Sequence, residues 1–122
     1  MGVKRIVPYL EAADFTEVRD FYVGVLGLEV TMEGPDSNGV LGLASPDNRS
    51  AQIVVAPEGL ERPLPHMGID VGDPAAVDAA HEEALRRGLE VLYPPTDEPW
   101  GIRRCFVRDP TGRVVSVLAH LG

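Results

Sequence analysis

The chain has 122 residues, of which 44% are hydrophobic and 25% charged, a balance typical of one globular domain with its own core. Its 19 acidic and 11 basic residues give a net charge of −8, which argues against nucleic-acid binding because phosphates require basic patches. Cys105 is the single cysteine, so an intramolecular disulfide is excluded. No apolar run has the length of a signal-peptide core or a membrane span. We therefore expect a cytoplasmic protein that binds neither nucleic acid nor membrane.

The first half of the sequence predicts a strand, a helix and three further strands. A strand pattern at about Lys4–Glu11 precedes a helix that begins at the N-cap Asp14 and ends at Gly27. The helix carries apolar residues three and four positions apart, which predicts one apolar face made of Val18, Phe21, Tyr22, Val25 and Leu26. The later strands are expected at about Leu28–Glu33, Val40–Ala44 and Ser50–Ala56.

The second half predicts the same order of elements. A strand at about Pro65–Val71 precedes a helix that is capped by Asp73 and ends at Gly88. Gly-Leu-Glu-Val follows each helix, at residues 27–30 and 88–91, which indicates an internal repeat. The sequence therefore predicts an α+β fold in one domain, with two βαβββ modules at about residues 1–57 and 63–122. The last three strands are expected at about Leu89–Tyr93, Ile102–Arg108 and Arg113–Ala119.

Two stretches resemble signatures of the vicinal oxygen chelate superfamily, which includes glyoxalase I, bleomycin-resistance proteins and extradiol dioxygenases. Phe21-Tyr22 with Val25–Val30 resembles FY…LG(L/F)xV, and Phe106–Arg113 resembles FxxDPxGN with arginine in place of asparagine. The resemblance implies a glyoxalase/bleomycin resistance-like fold in which the modules form a curved mixed-sheet cup. It also implies a homodimer with ligand sites near the subunit boundary.

Metal-dependent members of that superfamily hold a divalent ion with side chains from the first and last strand of each module. The internal repeat carries those positions over to Val7, Gln52, His66 and Ser116. Val7 has no donor atom, Ser116 is a poor ligand, and no carboxylate balances the charge of the ion. We therefore expect no metal and no other cofactor. Glu11 and Asp70 are the nearest replacements, because they share strand faces with Val7 and His66.

Trp100 is a candidate for contact with a small-molecule ligand. It lies in Pro94–Gly101, which reads as a long irregular segment of the kind that often borders a site. Its ring could stack on a planar or cationic ligand, and Asp97 and Glu98 would assist a cation. The alternative is that Trp100 covers one end of the sheet.

Four more side chains are candidates for the same pocket. Arg103 and Arg104 are neighbours on a strand, so at most one of them faces the cup, where it could bind a carboxylate or phosphate. The sequence leaves open which one does so. Tyr9 and Gln52 are expected to line the pocket, because they alternate onto the faces of Val7 and Val54.

His66 is the candidate acid–base residue, since histidine donates, accepts or transfers protons near neutral pH. A strand histidine satisfied by its neighbours is the alternative. We expect a metal-independent protein, similar to the bleomycin-resistance branch, that sequesters a drug or metabolite in a dimer cleft. Two alternatives stay open: a glyoxalase- or dioxygenase-like enzyme that holds a divalent metal with His66 and a non-standard ligand set, and a metal-free enzyme with His66 as base.

Overall fold

A computed structural model describes residues 2–122, and in it each half of the chain runs strand, helix and three strands. The predicted α+β class and order of elements are confirmed. The first half contains β1 (Arg5–Ala12), α1 (Thr16–Arg19) with a π-helical continuation (Asp20–Val25), β2 (Glu29–Met32), a 3₁₀ turn (Pro35–Ser37), β3 (Leu41–Ala44) and β4 (Gln52–Pro57). The second half contains β5 (Met67–Asp70), α2 (Pro74–Arg86), β6 (Val91–Asp97), β7 (Ile102–Arg108) and β8 (Val114–His120).

The described chain divides into two compact units, each with a mixed sheet. We call Val7–Arg62 the first module, and the chain up to Ile6 together with Pro63–Gly122 the second module. Strand order in the first module is β2-β3-β4-β1, with β1 and β4 parallel and the other neighbours antiparallel. In the second module the order is β5-β8-β7-β6, with β5 and β8 parallel. The second module also takes in the start of β1, where the amide of Lys4 donates to the carbonyl of Asp70 over 2.7 Å.

Each helix packs on one face of the sheet in its own module. In the first module Val18 and Tyr22 pack against a buried cluster of Leu41, Leu43 and Val55. In the second module Val77 of α2 packs against a cluster that includes Val71, Cys105 and Ala119. Because successive strand residues point to opposite faces, each sheet has a second face directed away from its helix.

The predicted capping residues of α2 are confirmed, whereas α1 begins one residue later than predicted, with Phe15 rather than Asp14 as its N-cap. Asp73 accepts a hydrogen bond from the amide of Ala76 over 3.1 Å and so caps α2. Asp14 accepts from the amide of Thr16 over 2.7 Å at the start of α1. Gly27 and Gly88 have φ angles of 76° and 71°, the left-handed conformation that lets a helix stop at glycine. Within residues 2–122, neither helix combines the length and the apolar character that a bilayer-spanning segment requires.

The predicted single apolar face on the first helix is wrong. Residues 20–25 wind as a π-helix, in which the amide of Leu26 donates to the carbonyl of Phe21, five residues back. The wider turn changes the angle between successive side chains, so Val18 and Tyr22 still pack against the sheet while Phe21, Val25 and Leu26 are turned away from it. Phe21, Val25 and Leu26 are therefore exposed, by 49%, 67% and 57% of their surface.

The predicted irregular segment at Pro94–Gly101 is shorter than expected, because β6 continues to Asp97. β6 is an edge strand, and an edge strand tolerates prolines because their missing amides need no partner. The remaining four residues form a hairpin turn into β7. The amide of Glu98 donates to the carbonyl of Ile102 over 2.7 Å, and the amide of Gly101 donates to the carbonyl of Glu98 over 3.0 Å.

Candidate functional site

The sheet face opposite α2 gathers several of the predicted site residues of the second module. Strand pairing places Arg104 opposite Leu118, and Phe106 opposite Ser116. Cys105 on β7 and Val117 on β8 lie between these residues in sequence. They point toward α2 and pack in the cluster that contains Val77. We call this surface the Ser116 face and define it by Arg104, Phe106, Ser116 and Leu118.

Arg103 and Arg104 lie on opposite faces of β7, as alternation along a strand requires. Arg103 is on the α2 side, with its guanidinium 2.9 Å from Asp78 Oδ1 on the helix and 2.8 Å from Asp97 Oδ1 on β6. Hydrogen bonds to Asp97 and Asp78 raise the pKa of Arg103 above its ordinary value. Arg103 thus ties α2 to the edge strand, and Arg104 is the one that belongs to the Ser116 face.

The guanidinium of Arg104 is enclosed by one carboxylate and three aromatic rings. Arg104 Nε lies 2.6 Å from Glu98 Oε2, and the two side chains are 10% and 8% exposed. The central guanidinium carbon of Arg104 lies 4.8 Å from the ring centre of Phe106, 5.1 Å from that of Trp100 and 5.6 Å from that of Tyr93. All three distances are within the range of cation–π attraction. We call Glu98, Tyr93, Trp100 and Phe106 the Arg104 cage.

The two acidic residues that were expected to assist a cationic ligand have partners within the chain. Asp97 pairs with Arg103, and Glu98 pairs with Arg104. The hydroxyl of Tyr93 lies 3.2 Å from both carboxylate oxygens of Glu98 and can donate to either. Strand pairing places Asp97 directly opposite Arg103, and Glu98 in the turn reaches Arg104, so each acid has an arginine partner.

Sequence reasoning missed Tyr93 and Phe106 as residues of this site. Alternation along β7 already places Phe106 on the face of Arg104, and Tyr93 pairs with Phe106 across the strands. The sequence signal for these ion pairs was two adjacent acids at 97–98 and two adjacent arginines at 103–104, separated by turn residues. Recognising them required the extension of β6, which the prolines concealed.

Ser116 is fully buried, and its hydroxyl has no hydrogen-bond partner among residues 2–122. Its cross-strand neighbours are Phe106 and Gly68, neither of which carries a polar side-chain atom. A buried hydroxyl without a partner costs about 1–3 kcal/mol.

His66 immediately precedes β5 and is exposed. Its amide donates to the carbonyl of Val114 over 2.8 Å, which continues the pairing of β5 with β8. By alternation its position lies on the same side of the sheet as Gly68 and Asp70.

Tyr9 and Gln52 lie in the first module and are both half-buried. Tyr9 pairs with Val54, and Gln52 precedes Val54 by two residues on β4, so both lie on the face directed away from α1. Val7 shares that side of β1 and is 4% exposed. Within the first module, the predicted pocket residues thus share one face.

The chain has an α+β fold built from two βαβββ units, and the candidate binding residues lie on the faces without helices. These two features define the class of protein with which it is compared. The family model of the Glyoxalase/Bleomycin resistance protein/Dioxygenase superfamily matches residues 6–117. The chain therefore belongs to that superfamily, as its motifs predicted. No curated protein matches it.

Solved structures show the same fold at low sequence identity. A superfamily member from Vibrio splendidus 12B01 is 16% identical, with a TM-score of 0.66 over 97% of this chain and 99% of that one. A hypothetical protein from Bacillus halodurans C-125 is 20% identical, with a TM-score of 0.74 over 98% and 95% of the two chains. A variant of homoprotocatechuate 2,3-dioxygenase from B. fuscum is 24% identical, with a TM-score of 0.71 over 97% of this chain but 33% of that one.

Of the four positions that the resemblance implies for metal ligands, Val7 and Ser116 do not fit a divalent ion. Val7 is apolar and buried, and Ser116 supplies a hydroxyl where a carboxylate would be needed. Throughout residues 2–122, no group of three or more His, Cys, Asp or Glu side chains is placed to hold an ion.

The two replacement carboxylates are occupied by arginines. Asp70 Oδ2 lies 3.0 Å from Arg5 Nε, and Asp70 Oδ1 accepts from the amide of Gly72 over 3.0 Å. Glu11 Oε2 lies 2.6 Å from Arg62 Nη1, and this hydrogen bond lowers the pKa of Glu11. Both carboxylates are therefore already engaged in ion pairs within their own modules.

Proposed function

We propose that the chain is a small-molecule-binding member of its superfamily that works without a divalent metal or other cofactor. The observation that carries the proposal is the state of Ser116. At the position where the resemblance implies a metal-binding carboxylate, this chain buries a neutral hydroxyl with no partner in the described residues. A hydroxyl is a weak ligand for a divalent ion, but it donates and accepts hydrogen bonds to an organic molecule.

The second module offers such a molecule one broad apolar contact. Trp100 has its ring against Arg104 and keeps 44% of its surface exposed. Aromatic side chains of this kind bind planar molecules by offset stacking. A ligand would stack on the exposed surface of Trp100. After local opening of the Ser116 face, it would also hydrogen-bond to the Ser116 hydroxyl. Sequestration of a drug or metabolite would need no further chemistry.

Trp100 also provides the test, because it is the only tryptophan in the sequence and its fluorescence reports on the site alone. We would titrate benzyl alcohol, benzoate and benzylammonium, which share one ring and differ in charge. We expect a saturable change in Trp100 emission with benzyl alcohol that chelator leaves unaltered. Failure of all three probes to bind would contradict the proposal.

A metal titration separates binding from metal-dependent catalysis. Chelator-treated protein would be titrated with Zn²⁺, Ni²⁺ and Fe²⁺ by calorimetry, and we expect no stoichiometric binding. One ion per chain, lost in His66→Ala, would instead support the alternative of an enzyme with a non-standard ligand set around His66.

We further propose that two copies of the chain assemble as a homodimer, as the resemblance implies. Support comes from the apolar surface of the first module that the π-helix leaves uncovered, formed by Phe21, Val25 and Leu26. Exposed apolar surfaces of this kind in folded proteins commonly mark contact with a partner.

A further inference from the structure

The Arg104 cage has the chemical composition of a cation-binding site. Three aromatic rings present their electron-rich faces, and Glu98 adds a negative charge that is only 8% exposed. Aromatic rings combined with a buried carboxylate are what recognise ammonium and guanidinium ligands. In this chain the bound cation is the guanidinium of Arg104 itself.

Arg104 is fixed in the cage by one ion pair and three ring contacts. Its Nε pairs with Glu98 at 2.6 Å, and its guanidinium carbon lies within 5.6 Å of all three ring centres. Because Arg104 compensates the charge of Glu98, the filled cage presents no unpaired carboxylate to a ligand. A second cation would have to compete with Arg104 for the same carboxylate.

We propose that Arg104 determines the specificity of the site by filling an acidic aromatic cage from within the chain, so that cationic ligands are rejected and uncharged planar ones are accepted. This inference rests on the proposed ligand-binding function. It runs against the overall charge of −8, which by itself would attract cations. The local neutralisation of Glu98 outweighs that diffuse field, since distant exposed charges are screened by salt.

The first experiment empties the cage. Arg104→Ala removes the guanidinium and leaves Glu98 and the three rings in place. Methylguanidinium is the probe, and methylurea is its uncharged isostere. We expect Arg104→Ala to bind methylguanidinium at least about tenfold more tightly than methylurea, seen in Trp100 emission and in Tm. Wild-type protein should bind neither probe measurably.

Two control variants isolate the contribution of the cage. The double variant Arg104→Ala with Glu98→Gln keeps the rings but removes the charge, and it should lose the preference for methylguanidinium. Arg103→Ala removes the neighbouring arginine on the α2 face, and it should gain no methylguanidinium binding. A folded Arg104→Ala variant without the preference would overturn the inference, as would an equal gain in Arg103→Ala.

A second measurement uses wild-type protein and so does not depend on a variant that empties the Arg104 cage. In wild-type protein the Nε–H of Arg104 should exchange with solvent far more slowly than that of the exposed Arg113. Similar exchange rates would mean that Arg104 does not occupy the cage. The selectivity follows from the same reasoning: wild-type protein should prefer benzyl alcohol to benzylammonium, and Arg104→Ala should shrink or reverse that preference.

The outcomes distinguish this inference from the proposed function. If benzyl alcohol does not bind to wild-type protein while Arg104→Ala binds methylguanidinium, the proposed function fails and the self-filled cage stands. If benzyl alcohol binds but the emptied cage shows no preference for the cation, the cage inference fails and the binding function stands.

Discussion

Arg104 and Glu98 form an ion pair with a nitrogen–oxygen distance of 2.6 Å, in which both side chains are at most one-tenth exposed. The pair joins β7 to the turn that follows β6, and it lies among three aromatic rings. Removal of charges from water is costly, so loss of either partner leaves a buried charge and destabilises the fold. The pair therefore helps to fix the turn that carries Trp100 to the sheet.

Glu98→Gln should lower the free energy of unfolding by about 3 kcal/mol, because it removes the carboxylate that lies 2.6 Å from the buried guanidinium of Arg104. Urea denaturation measures the loss. The matched control is Glu90→Gln, which removes the partner of Arg108 at 2.9 Å in a pair exposed by 60% and 39%. That substitution should cost less than about 1 kcal/mol, since water screens the pair. Equal losses would show that the Arg104–Glu98 pair is solvated.

Ser116→Ala should leave the ligand-free protein unchanged or raise its free energy of unfolding by up to about 1 kcal/mol, because a buried hydroxyl without a partner is removed. The same variant should weaken the binding of benzyl alcohol. Ser37→Ala provides the contrast, since Ser37 Oγ lies 2.6 Å from the carbonyl oxygen of Val40. It should lower stability by about 1 kcal/mol. A Ser116→Ala variant that is less stable than Ser37→Ala would mean that the hydroxyl is satisfied.

Burial raises the pKa of the Cys105 thiol to about 11. The folded protein therefore keeps the thiol protonated at pH values where the unfolded chain, with a pKa near 9.0, has lost the proton. This contribution to stability is fully present below about pH 9 and is lost as pH rises toward 11. Urea denaturation should show a steeper loss over that interval for wild-type protein than for Cys105→Ala. Identical slopes would contradict the assignment.

The same burial predicts that Cys105 is chemically inert in the folded state, because the thiolate is the reactive form. A thiol reagent such as dithionitrobenzoate at pH 8 should leave the native protein unmodified and should react with one thiol per chain after unfolding in urea. Rapid modification of native protein would show that the thiol is accessible.

Leu26→Asp should convert the proposed homodimer to a monomer, since it places a charge on the apolar surface formed by Phe21, Val25 and Leu26. Light scattering after size-exclusion chromatography measures the mass. Leu85→Asp is the matched control: Leu85 lies on α2 in the second module and is 51% exposed, close to the 57% of Leu26. It should leave the dimer intact. If wild-type protein is already a monomer, the assembly proposal is wrong.

Sequence reasoning found the parts of the fold that are set by local chemistry. The cap at Asp73 and the glycine stops at Gly27 and Gly88 depend on residues next to one another in the chain, so they can be read directly. Strand alternation likewise showed that Arg103 and Arg104 must face opposite ways, although not which way each one faces. The superfamily is identified by the two motifs that resemble its signatures, at Phe21–Val30 and Phe106–Arg113.

Tertiary packing decided what local signals could not. The first helix becomes π-helical beyond Arg19 and exposes Phe21, Val25 and Leu26, which the spacing of its apolar residues did not predict. β6 continues through its prolines because it is an edge strand. Whether a strand lies at an edge depends on which strands pair with it, not on its own residues.

By itself, the sequence determined the α+β class and the two βαβββ repeats, because both depend on the identity and spacing of residues. Only the tertiary structure determined that Glu98 is the partner of Arg104 and that three rings surround the pair. Those contacts join residues from β6, the turn and β7, and their energy comes from burial that exists only once the strands have paired. The acidic residues that suggest a cation site in the sequence are, in the folded chain, already neutralised by its own arginines.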